Sequence, residues 1–144
     1  MGAAAILSAA CALACGSSPA TPKTPEVPGP ETSQLVGALR GLGASADVIE
    51  VLPESSNPFF TVPAVRLQVN GANVLVYEYA TVSEASAQAA LVSEDGSSIG
   101  NTLILWVSTP HFFRGNRLIV LYVGNDAAVT RTLERLLGAQ FAGR

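Results

Sequence analysis

From Leu35 the apolar positions recur at helical spacing: Leu35, Leu39 and Leu42 share a stripe with Ala38, and the run stops at Gly43. Thr32 or Ser33 stands where a helix cap belongs. Asp47 to Leu52 is dense in apolar residues and closed by Pro53, which predicts a strand. Residues 53 to 63 contain three prolines and read as a loop that returns Phe59 and Phe60 to the core.

The clearest pattern is Ala64 to Tyr79, two alternating runs joined by Asn70-Gly71, residues that tolerate the positive φ of a tight hairpin. Pairing across such a turn places Val65, Leu67 and Val69 on one face with Val74 and Val76. That face is the expected core. The other carries Arg66, Gln68, Leu75, Tyr77 and Tyr79, and is either open to solvent or partly covered; Leu75, Tyr77 and Tyr79 are a candidate interaction face.

Thr81-Val82-Ser83-Glu84 is a capping box, opening a helix that runs to about Val92 with Ala85 and Ala89 as its close-packing stripe. After a polar loop, Thr102 to Ser108 and Arg117 to Gly124 are apolar at both parities, which places them centrally in a sheet with something packed on each side, or in an interface. A last helix starts near Asn125-Asp126, presents Val129, Leu133, Leu136 and Leu137, and ends at Gly138. The order α-β-β-β-α-β-β-α predicts an α+β domain with an antiparallel sheet of about four to five strands and helices packed on it. Overlaying Gly71 on Gly115 also aligns Val74 with Leu118 and Thr81 with Asn125, an echo of two hairpin-plus-helix units.

Composition narrows the function classes. The chain has 144 residues and a net charge of -3, so it carries no electrostatic footprint for a nucleic acid. One histidine and two cysteines, both near the amino terminus, supply neither a Cys/His metal cage nor a disulfide framework, and no cofactor is expected. All the aromatic residues lie between Phe59 and Phe141, so the folded domain is expected over residues 31–144.

The chain ahead of it reads differently. Met1 to Ala14 pairs an apolar run with small residues, the grammar of a signal peptide. The run from Ala3 to Cys15 falls short of the roughly 18 residues that span a bilayer. Residues 15–30 then carry Pro19, Pro22, Pro25, Pro28 and Pro30 and no aromatic, which favours an extended polyproline II stalk. Ala12-Leu13-Ala14 before Cys15, with Gly16-Ser17-Ser18 after it, resembles the lipobox of bacterial lipoproteins. It departs from that pattern at Ala12, where leucine is usual, and in having no Lys or Arg from Met1 to Ala14. The resemblance implies cleavage before Cys15, lipidation of its thiol and acylation of the new amino terminus. Cys11 is the alternative lipidated residue. Ala12-x-Ala14 is also a site for ordinary cleavage, which would release a secreted, unlipidated protein.

Candidate chemistry concentrates in one stretch. Trp106, His111, Phe112, Phe113, Arg114 and Arg117 bring together the lone histidine and tryptophan, two phenylalanines and two arginines as candidate ligand or partner contacts. Pro110 cannot donate to a sheet ladder, so a bulge or strand end is expected there. A Ser/His/Asp triad can be drawn with Ser108 or Ser98 and Asp126 or Asp95, but no nucleophile elbow accompanies it, and no catalytic residue is assigned. Arg114 to Arg117 reads as a basic hairpin tip, and Ser93-Glu94-Asp95-Gly96 as a solvated acidic loop without the oxygen ligands of a calcium site.

The run Asp95 to Gly100, Trp106, Pro110 to Phe113, Leu118 to Gly124 and the closing Leu137 to Gly143 together resemble a group of small uncharacterised bacterial lipoproteins with an anchor, a Pro-rich linker and one α+β domain. The resemblance implies that fold and an extracytoplasmic, membrane-anchored location, and brings no activity. The expectation is a non-enzymatic module that meets an envelope protein or a small apolar ligand. A ligand binder or enzyme built around His111 and Trp106 is the alternative.

Overall fold

A computed structural model describes residues 27–56 and 59–143. The expected signal peptide, Cys15 and most of the stalk lie outside the described residues. Helix α1 (Pro30–Gly41) starts with proline in its first turn, where the missing N–H has no partner to lose, and Gly29 at the N-cap brings no side-chain cap of its own. Thr32 and Ser33 therefore sit inside the first turn, and the buried face is Thr32, Leu35, Val36 and Leu39, with Ala38 and Leu42 turned outward. The helix ends in a Schellman arrangement: Gly43, at φ 85, donates to Arg40 O at 2.9 Å and Ala44 donates to Leu39 O at 3.1 Å.

Strands β1 (Ala46–Leu52), β2 (Ala64–Val69) and β3 (Ala72–Glu78) precede helix α2 (Val82–Ala89). A two-stranded ribbon of β4 (Ser98–Ile99) and β5 (Thr102–Leu103) follows, then β6 (Pro110–Gly115), β7 (Leu118–Val123) and helix α3 (Ala127–Leu137). The main sheet is antiparallel, with strand order β1-β2-β3-β7-β6. The α+β class and the general order expected from the pattern are therefore present.

The Asn70-Gly71 turn holds φ values of 49 and 84, and Val65 pairs with Val76, Leu67 with Val74, as the hairpin pattern requires. On that face Val65, Leu67, Val69, Val74 and Val76 pack with Phe113, Val120 and Tyr122 under α1 and α3. The opposite face packs Tyr77, Tyr79, Phe112, Ile119 and Leu121 under α2, Phe60 and the C-terminal Ala142. The sheet is thus covered on both sides, which is why central β7 reads apolar at every position.

Three expectations need correction. Thr102 to Ser108 is no central strand: only Thr102 and Leu103 pair, in the small ribbon, and the sheet strand is the more polar Pro110–Gly115, with Pro110 at its end. Helix α2 stops at Ala89 rather than near Val92, although its capping box and its buried Ala85 and Ala89 are as expected. The internal echo is offset. Asn116, at φ 50, occupies the turn position of Asn70, and α2 and α3 pack on opposite faces, so the two units are not repeats of one arrangement.

Candidate functional site

The stretch from Trp106 to Arg117 does not form one site, because strand alternation distributes it. Phe112 and Phe113 are both wholly buried, Phe112 under α2 and Phe113 under α1 and α3, so neither contacts a ligand from the surface. Trp106 is half-buried. Its indole N–H donates to Gly96 O at 2.6 Å, and its ring packs against Phe59 at 5.4 Å and edge-on to Phe112 at 5.9 Å.

His111 lies half-buried near the start of β6, stacked on Tyr122 at 5.7 Å. Its Nε2 is 3.0 Å from Gly124 O. Its Nδ1 is 2.8 Å from Gln140 Oε1. Both ring nitrogens are thus committed to holding β6, the end of β7 and the C-terminal segment together. Of the serines drawn into a triad, Ser108 accepts from Asn125 at 3.0 Å and Ser98 sits in the turn bonded to Ser93, while the His111 ring nitrogens meet Gln140 and Gly124 instead. A shallow groove of about 380 Å³ runs beside the ring, lined by Thr109, Asn125, Ala127, Thr130 and Arg131.

The two arginines have separate tasks. Arg114 is exposed and donates to Ser86 on α2 at 2.9 Å. Arg117 is no free basic tip. Its Nε donates to Glu31 at 2.7 Å, its backbone N–H to the other oxygen of the same carboxylate at 3.1 Å, and its guanidinium to Glu78 at 3.4 Å. The Arg117 hydrogen bonds hold the Glu31 carboxyl below the usual carboxylate range, against a smaller opposing effect of burial.

The candidate face of Leu75, Tyr77 and Tyr79 is also corrected, because Tyr77 is fully buried, Tyr79 is 3% exposed and Leu75 is half-buried. Phe60 packs edge-on to Tyr77 at 4.7 Å and helps close that face. The acidic loop is a self-satisfied turn. Asp95 accepts from the Ser97 N–H at 3.0 Å and from the Ser93 and Ser97 hydroxyls at 2.7 and 2.8 Å, which lowers its carboxyl to about 2. Among the described residues no cluster of His, Cys, Asp and Glu could hold a metal.

The segment expected as a central strand or an interface presents a row of side chains outward that the sequence pattern alone did not single out. Leu103, Leu105 and Val107 are 81%, 99% and 98% exposed, while the alternating Ile104 and Trp106 pack inward. The signal was a long stretch without charge: between Asp95 and His111 there is no ionisable side chain. Near-complete exposure of three consecutive outward side chains is what distinguishes this row from the scattered apolar residues of an ordinary surface. Comparison of the chain with known protein families, with curated proteins and with solved structures gives no match.

Proposed function

We propose that the protein is a non-enzymatic binding module of the bacterial envelope, tethered to the membrane through a lipidated Cys15. The observation that carries the binding role is the row of Leu103, Leu105 and Val107, which alternates with the half-buried, inward-packed Ile104 and Trp106. The tether is supported by the leader and the Pro-rich segment, whose sequence resembles a lipobox and stalk. The His111 region serves as a structural joint in this reading, since both ring nitrogens are engaged by Gln140 and Gly124.

The experiment is intact-mass analysis of the mature amino terminus with membrane fractionation. A diacylglyceryl-modified Cys15 in the membrane fraction is the expected result. An unmodified start at Cys15 means secretion, and a modified Cys11 moves the anchor. Reproducible turnover lost with His111→Ala, in a protein that stays folded, would replace the binding reading with an enzymatic one.

A further inference from the structure

We infer that the Leu103-Leu105-Val107 row is a second membrane contact, which lays the domain against the lipid surface to which Cys15 tethers it. The inference rests on the tethered reading and names the partner of the exposed row. Four observations favour lipid over protein.

First, the segment that carries the row is free of charge: Gly96 to Pro110 contains no Asp, Glu, Lys or Arg, and the neighbouring Asp95 carboxylate is tied back to the Ser93 and Ser97 hydroxyls. Second, the row projects nearly completely, at 81%, 99% and 98% exposure. A stable protein interface needs roughly 800 Å² from each partner, far more than three aliphatic side chains provide, whereas a lipid surface has no such threshold.

Third, the backbone sets the depth. Among the described residues the N–H groups of Leu105, Trp106 and Val107 donate no hydrogen bond, so the segment cannot enter the hydrocarbon without loss but can lie at the headgroup level, where water and ester oxygens accept. Trp106 packs directly beneath the row with its indole N–H satisfied, and indole is at home at that level.

Fourth, the tether reaches. The domain begins at Gly29, at the end of the sheet formed by Glu78 and Leu118. A strand of six residues such as β6 rises about 20 Å, and a chain of the length from Cys15 to Gly29 has a contour of up to about 50 Å, longer than that. An anchored domain can therefore turn its flank to the bilayer.

Trp106 is the chain's lone tryptophan, so it reports on this segment without labelling. The full chain with Cys11→Ser and Cys15→Ser is mixed with phosphatidylcholine vesicles whose acyl chains are brominated at shallow or deep positions. Expected is a blue shift of Trp106 emission, with stronger quenching by the shallow bromines and little response to salt. Combined Leu103→Ser, Leu105→Ser and Val107→Ser should lower vesicle partitioning roughly tenfold or more and abolish the quenching, with near-ultraviolet dichroism unchanged. Leu105→Ser alone, at the most exposed position, serves if the triple variant does not fold. Co-sedimentation without Trp106 quenching would overturn the second contact while leaving the tether standing. An emission change that tracks protein concentration without lipid, with a doubled mass in equilibrium sedimentation, would assign the row to a second copy instead. Failure of the native lipidated protein to sediment with membranes would overturn the tether itself.

Discussion

Glu78, the last residue of β3, serves as the N-cap that α1 lacks: its carboxylate accepts from the Thr32 backbone N–H at 2.9 Å and from the Thr32 hydroxyl at 2.8 Å. The same carboxylate accepts from the Glu31 N–H at 3.2 Å, so free donors of the first turn are satisfied from a strand rather than from the helix's own flank. Negative charge at a helix N-terminus adds to the effect. Glu78→Ala should cost about 2 kcal/mol in chemical denaturation, at the upper end of cap losses because Arg117 also loses a partner. Glu78→Gln should cost less, since it keeps one acceptor. A change below about 0.5 kcal/mol for the alanine variant would contradict the capping role.

The two lowered carboxyls set a direction for acid. Glu31 is held below its ordinary 4.5 chiefly by its side-chain hydrogen bond with Arg117, and Asp95 falls from 3.8 to about 2 chiefly through the Ser97 N–H. In each case the folded state binds its proton less readily than the unfolded chain. The stabilisation is therefore fully present above the unfolded values and is lost as pH falls through the folded ones. The melting temperature should drop progressively below about pH 4.5, and Glu31→Gln should flatten the upper part of that fall. A melting temperature unchanged down to about pH 2 would contradict it.

How much of this was legible follows the range of each interaction. The capping box Thr81 to Glu84, the Asn70-Gly71 turn and the Asp126 cap are made within a few residues, and the sequence displays all three. Glu78 and Thr32 stand 46 positions apart, and nothing in their local sequence marks them as partners. The segment around Leu105 misled for a different reason. Apolar residues at both parities signal a strand buried on both faces only if both faces are buried, and here one parity faces solvent. The true strand, Pro110–Gly115, carries Pro, His and Arg and so hides its two buried phenylalanines.

The His111 joint predicts a structural rather than a chemical phenotype. Its bonds to Gly124 and Gln140 reinforce the pairing of Phe112 with Ala142 that covers the outer edge of β6. His111→Ala should cost about 1 to 2 kcal/mol and speed hydrogen exchange at the Phe112 amide, which donates to Ala142. Unchanged exchange there would remove the joint.

The two parities of the central hairpin provide a sharper contrast. Val76 is wholly buried against α1 and α3, whereas Gln68 on the other face is exposed. Val76→Asp should unfold the domain, because an unpaired buried carboxylate costs several kcal/mol against a total stability of roughly 5 to 15. Gln68→Asp should leave the melting temperature nearly unchanged. Leu75→Asp should fall between them, since Leu75 is half-buried and packs at the edge of the cluster beneath α2. Equal tolerance of Val76→Asp and Gln68→Asp would overturn the register.

Tyr79 is buried to 3% exposure with a hydroxyl that finds no hydrogen-bond partner among the described residues. Burial pushes that hydroxyl's pKa well above its ordinary 10.0, because the phenolate would lose its hydration without gaining a donor. The folded state therefore holds the proton more tightly than the unfolded chain, and stability present below pH 10 is lost as pH rises beyond it. Phenylalanine fits the same space without the unsatisfied oxygen. Tyr79→Phe should match or exceed the parent in stability, by up to about 1 kcal/mol in chemical denaturation, and should shrink the alkaline loss. A cost of more than about 1 kcal/mol would show that the hydroxyl makes a favourable interaction, and the burial argument would fail with it.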